Sequence, residues 1–284
     1  MAAALISLAG ALLWYSTRPA LPYTLAGNRR ELASGACAVF SPTDKNLHRT
    51  VFLDPGHGGP DPGASGVTTG GTPLDEKTLT LAVAQDALPL LRREGYTVAL
   101  SRIADAPVGR LTSSSLQGGL YTPAGVHGDV QARVDCANAA GAQLLLSIHF
   151  NSYGDSTVGG VETYYDPDRS FAGDSLRFAN LVQQSVLSGF AARGWNVPDR
   201  SVIADTSLNA PTLTTQASSY GHLLELGPAD PGWFDRPSTM PGALSESLFL
   251  TDPGEADVIA SPEGRQVLAQ AYVDAIDKYF SSRS

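Results

Sequence analysis

The stretch LLLSIHF, Leu144 to Phe150, is apolar except at Ser147 and His149. A short run with so little alternation suits a strand buried on both faces, as in a parallel sheet covered by helices. The same grammar repeats outward from it. TVFLD (50–54) and TVALS (97–101) read as strands, and Leu81, Ala84, Leu88 and Leu91 recur between them at helical spacing until Gly95 ends the helix. Pro89 counts against that helix, because it removes a hydrogen bond from the interior. Asp129 is expected to cap a helix running to Gly141. GVETYY (160–165), SVIAD (201–205) and HLLELG (222–227) read as further strands, and Ser170 to Arg193 and Ser261 to Phe280 as helices. Strands interleaved with helices predict an α/β fold with a single open, mostly parallel sheet and helices on both faces.

Composition narrows the partners. The chain of 284 residues carries a net charge of −9, and its 19 basic residues form no cluster denser than Arg29-Arg30 or Arg92-Arg93. That leaves no electrostatic footprint for a nucleic-acid backbone. Cys37 and Cys136 lack the paired spacing of a thiolate metal site. They can form one disulfide if the chain is exported, but spacing alone does not show that their α carbons approach closely enough.

The first residues, MAAALISLAGALLWY, are apolar from Ala2 onward. The run falls short of the ~20 residues that span a bilayer comfortably, and no basic flank or A-x-A cleavage site accompanies it. Residues 1–17 are therefore expected to be a membrane anchor or signal segment, 18–49 a linker, and 50–284 a catalytic domain acting as a monomer. Contact with a membrane is expected only through the N-terminal segment.

Three polar side chains stand out against this frame. His57 follows the strand Val51 to Asp54 directly, His149 ends the strand that begins at Leu144, and Glu225 lies inside HLLELG. In an open α/β sheet the crevice outside the carboxyl ends of the strands is where ligands bind, so these groups can converge. Two imidazoles and one carboxylate make a common zinc shell with a position left for water. Glu76, which opens the first helix, can supply that carboxylate; alternatively it merely favours the positive end of its helix. Glu225 on a strand buried on both faces would need a cation or partner nearby. The glycines flanking His57 allow a sharp turn and close access to its ring.

At these residues the chain resembles a known family. FLDPGHGGPDPGASG, LDEKTLTLAVAQDALPLLRREGYTVALSR, ARVDCANAAGAQLLLSIHFNS and LLELG are similar, in order, to the motifs of the zinc-dependent N-acetylmuramoyl-L-alanine amidases. The resemblance runs from about Val51 to Phe280 and includes DPGEADVIASPEGRQVLAQAYVDAI as the closing helix. It implies that His57, Glu76 and His149 hold one Zn2+ per chain and that Glu225 is the catalytic acid. It also implies an exported, extracytoplasmic cell-wall hydrolase whose partner is peptidoglycan or its muropeptide fragments. The bond cleaved would be the amide between N-acetylmuramic acid and L-alanine. Arg102 and Asn151 are expected to contact substrate. The alternatives are a zinc peptidase acting within the stem peptide, since the same metal shell serves any amide, and a non-catalytic wall-binding pseudoenzyme. The chain departs from the family pattern after LLELG, where residues 229–250, with Trp233 and Phe234, are expected to form a lid or substrate wall.

Overall fold

In the computed structural model, the structure describes residues 23–24, 32–208 and 219–281. The expected anchor at 1–17 lies outside them. Among the described residues no helix is long and apolar enough to cross a membrane. The elements follow in the order β1 (Tyr23–Thr24), β2 (Ala38–Phe40), β3 (Thr50–Pro55), β4 (Ser65–Val67), β5 (Pro73–Asp75), α1 (Glu76–Glu94), β6 (Thr97–Leu100), β7 (Leu116–Gln117) and β8 (Leu120–Tyr121). Then come α2 (Pro123–Ala139), β9 (Leu144–Asn151), β10 (Val161–Tyr165), α3 (Ala172–Ala191), β11 (Asp199–Ala204), β12 (Gly242–Phe249), α4 (Pro253–Ala260) and α5 (Pro262–Ser281).

One sheet organises the molecule, with strand order β1-β2-β6-β3-β9-β12-β10-β11. The pairs β6/β3, β3/β9, β9/β12 and β10/β11 are parallel, and β2 and β10 enter antiparallel. The alternation of side chains across a strand divides the core in two. Val51, Leu53, Leu144, Leu146, Ile148 and Ala243 pack with Val83 of α1, Phe178 of α3 and Tyr272 and Ile276 of α5. Phe52, Ala99, Leu145 and Leu244 face the other way, toward Cys136 and Ala137 of α2. Asp54, His149 and Glu246 belong to this second face by the same alternation.

Four expectations need correction. Residues 18–49 are not all linker: Ala38–Phe40 pairs with β6, and Cys37 is disulfide-bonded to Cys136 on α2 with their α carbons 5.5 Å apart. The helix expected from Asp129 begins at Pro123, where Thr122 accepts from the Gly125 amide. Asp129 instead lies inside it, and its Oδ1 accepts from the amides of Val108 and Gly109. HLLELG is not a strand. Its backbone closes on itself, with the amides of Leu226 and Gly227 both donating to the Leu223 carbonyl. Finally, residues 229–250 are not all lid, because Gly242–Phe249 forms β12 in the middle of the sheet.

Candidate metal centre and active site

The turn after β3 delivers the first candidate ligand. His57 has φ +61°, in the left-handed region, and Gly58 (φ +127°) and Gly59 (φ +57°) continue the reversal. Such a conformation is costly for a non-glycine residue and persists where the surroundings enforce it. Here the enforcement is visible. Arg133 of α2, 3% exposed, donates to the His57 and Pro55 carbonyls and pairs with Asp54 at 2.8 Å. Arg102 donates to the Pro55 and Gly56 carbonyls from the other side.

Glu76 is the first residue of α1, and the chain before it folds back as the β4/β5 hairpin. Its carboxylate is buried and doubly anchored, Oε2 accepting from the Ala64 amide and Oε1 from the Phe150 amide. The same two oxygens meet the imidazoles: Oε2 lies 3.0 Å from His57 Nε2, and Oε1 lies 3.0 Å from His149 Nδ1. The two ring nitrogens are 3.1 Å apart. One ligand atom from each of His57, Glu76 and His149 thus falls within 4.8 Å of the others. The sequence brought these three residues forward, and the structure brings them together. Sequence reasoning missed Asp61, whose Oδ2 sits 2.8 Å from His57 Nδ1 and so turns Nε2 toward the shared point. An acid four residues after the histidine in HGGPD was its signal.

The electrostatics fit a cation. Burial opposes charge on the His57 ring, yet the carboxylates of Glu76 and Asp61 outweigh it and push the imidazole up to about 10. Burial likewise opposes charge on Glu76, but the His57 and His149 rings hold it well below the usual carboxylate range. A divalent ion would supply the same positive charge with both rings neutral, which is the form in which they ligate.

Two further acids flank the triad. Glu225 is 7% exposed, and with Asp54 it brings a carboxylate oxygen close to His149, all three atoms within 4.8 Å of one another. Burial, and then the Asp54 carboxylate, raise it well above the ordinary value, with Arg133 and Ser147 acting against them. Glu246 comes from β12, whose register sets it directly beside His149 on β9. Burial and the repulsion of Glu76 raise it as well, against the attraction of His57. Its Oε2 has no hydrogen-bond partner. Sequence reasoning missed Glu246 because Ser245, Glu246 and Ser247 disguise a central strand. The signal was its place immediately before the segment that resembles the family's closing helix.

Arg102 faces the interior of the fold. It is 1% exposed, and its guanidinium is spent on the carbonyls of Pro55, Gly56, Lys77 and Ala104 and on Thr80 Oγ1. Asn151 lies two residues beyond His149 on the same face and donates to Glu162 Oε1 at 2.5 Å. A cavity of about 300 Å³ opens beside His57 and His149, between α2 and the chain that precedes β12, lined by Tyr121, Val126, Leu223, Glu225 and Trp233.

Comparison with known proteins agrees with this geometry. Residues 51–278 match the family model described as N-acetylmuramoyl-L-alanine amidase. The chain is 27% identical over 235 residues to the sporulation-specific N-acetylmuramoyl-L-alanine amidase of Bacillus subtilis, covering 81% of this chain and 68% of that one. It is 26% identical over 242 residues to the germination-specific N-acetylmuramoyl-L-alanine amidase of the same organism, covering 83% and 81%. The crystal structure of an N-acetylmuramoyl-L-alanine amidase from Clostridium difficile 630 superimposes with a TM-score of 0.58 at 26% identity, covering 83% of this chain and 98% of that one.

Proposed function

The chain belongs to the N-acetylmuramoyl-L-alanine amidase family, and on that premise we propose that it cleaves the amide between N-acetylmuramic acid and L-alanine in peptidoglycan. In this reading His57, Glu76 and His149 hold one Zn2+, and Glu246 is the base. The observation that carries it is the convergence of two imidazoles and a buried carboxylate on one point at the end of β9. When bound there, zinc supplies a Lewis acid for the scissile carbonyl and lowers the pKa of water toward ~7. The protein supplies orientation and proton transfer. Asp61 fixes the His57 ring, and the amides of Ala64 and Phe150 fix Glu76. Glu246 accepts the proton of the attacking water and returns it to the leaving amine of L-alanine.

Glu246 is preferred to Glu225, the acid that the family resemblance suggested, on three grounds. It is held by a central strand in register with His149. The largest charges that act on it are those of Glu76 and His57, two members of the triad, with Glu162 after them, whereas Glu225 answers chiefly to Asp54 and Arg133. It also remains partly exposed, while Glu225 is buried. A cation at the triad would offset the repulsion from Glu76 and favour the ionised form of Glu246. Glu225 and Asn151 are then assigned to the walls of the site.

The Cys37–Cys136 disulfide suits an oxidising compartment and so supports action outside the cytoplasm, where the cell wall lies. The test is hydrolysis of purified peptidoglycan by paired variants. Glu246→Gln is expected to lose about 10²- to 10⁴-fold in rate while keeping its zinc, and Glu225→Gln to keep most of its activity. The opposite ranking would return the role of base to Glu225.

A further inference from the structure

A second cluster of ligating side chains lies at the other end of the sheet. β10 and β11 run opposite to β12, so their carboxyl ends lie away from the His57 triad. Asp166 follows β10, Asp205 follows β11, and His222 reaches them from the chain between β11 and β12. One ligand atom from each lies within 4.8 Å of the others. His222 Nδ1 is 2.8 Å from Asp166 Oδ2 and 3.6 Å from Asp205 Oδ1.

The geometry points to a second divalent-cation site, formed by Asp166, Asp205 and His222, that pins the segment leading into Leu223, Leu224 and Glu225 to the sheet. Both aspartates are 1% exposed. The three converging atoms, Asp166 Oδ2, Asp205 Oδ1 and His222 Nδ1, are all buried without an aligned hydrogen bond. Buried polar atoms are rarely left so, and three of them aimed at one point define a place for an ion. The remaining oxygens are fixed as ligand carboxylates usually are. Asp166 Oδ1 accepts from the Asp168 amide at 2.7 Å, and Asp205 Oδ2 from the Leu223 amide at 2.9 Å. Asp168 Oδ2 lies 3.8 Å from His222 Nε2, on the far side of the ring.

The charge balance agrees. Burial raises the Asp205 carboxyl to about 6, and the neighbouring Asp166 adds to it while His222 opposes it. The Arg169 guanidinium, which feels Asp166, makes its hydrogen bonds to the carbonyls of Leu226 and Gly227 and to Ser238. Two carboxylates and one imidazole suit Zn2+ or Mn2+, and they are too few oxygens for the six to eight that Ca2+ takes. His222 leads directly into Leu223, Leu224 and Glu225, which line the cavity beside His57 and His149. An ion here would therefore hold one wall of that cavity in place.

The proposal is tested by zinc content of the purified full chain after saturation with Zn2+ and dialysis. Wild type is expected to retain two ions, His57→Ala one, Asp205→Asn one, and the double variant none. Because Asp205→Asn could impair folding, His222→Gln is measured beside it. Thermal unfolding adds a second readout: Zn2+ should raise the Tm of His57→Ala and leave that of His57→Ala/His222→Gln unchanged. A wild type that saturates at one ion would overturn the proposal. A second ion that survives both Asp205→Asn and His222→Gln would overturn it equally. Loss of the ion at the triad is read separately in His57→Ala, so failure of the two sites can be told apart.

Discussion

Gly56 shows how little room the triad has. A Cβ built there would lie 2.2 Å from Cε1 and 2.4 Å from Nε2 of the His149 ring. Gly56→Ala is therefore expected to push that ring aside and to lower metal affinity roughly 10- to 100-fold, the range that follows when a ligand's orientation is disturbed. Competition with a chelator measures it, and affinity equal to wild type would show that the ring has freedom this geometry denies. His57, Glu76 and His149 were legible in the sequence because each stands at a strand end or a helix start, where topology alone sets its place. Arg102, expected to contact substrate, is instead buried. It lies beside the site, but Nε, Nη1 and Nη2 each donate to neighbouring carbonyls or to Thr80 Oγ1.

At the scale of elements, the decisive piece is β12 and the way it ends. The strand shifts register between Glu246 and Phe249, with Leu248 at φ +79°. Asp252 then caps α4 by accepting from the amides of Gly254 and Glu255. Glu255 reaches back so that its Oε2 accepts from the Phe249 amide at 2.7 Å, tying the helix to the strand that carries Glu246. Burial, with Asp252 adding to it, raises the Glu255 carboxyl from the ordinary 4.5 to about 7, against the pull of the Phe249 amide. Between those values the folded chain holds a proton that the unfolded chain has lost. This contribution to stability therefore falls as pH rises from about 4.5 through 7. Glu255→Gln keeps an acceptor for Phe249 and removes the charge. The stability difference between variant and wild type should accordingly be small at pH 4.5 and move in favour of the variant above pH 7, as read by urea unfolding across pH. A difference that is flat with pH would mean that Glu255 is not strained by ionisation. The periodic strands and helices around β12 were legible because their apolar spacing is regular. β12 was not, since its polar residues answer to particular partners, Ser247 Oγ meeting Ser245 Oγ and the hydroxyl of Tyr272. HLLELG looked like the strand in its place because its composition suits one. Only the turn closing on Leu223 reveals otherwise.

Over the whole molecule, the sheet divides two tasks. One end, where β3 and β9 finish and β12 passes Glu246, gathers His57, Glu76, His149 and Glu246. At the other end Asp166, just after β10, meets His222 of the chain that precedes β12. Between them α2 carries Arg133 to the His57 turn and Cys136 to the disulfide with Cys37, so the chain before β3 is bound into the domain. The fold class was readable from the alternation of strands and helices. The early boundary was not, because a three-residue edge strand and a crosslink leave no periodic trace. The sharpest test of the account is the set of new chain ends made in purified peptidoglycan by the zinc-loaded protein. The account predicts new amino-terminal L-alanine together with free lactyl groups on the glycan. New amino ends from inside the stem peptide, or new reducing sugars with the L-alanine amide intact, would contradict it.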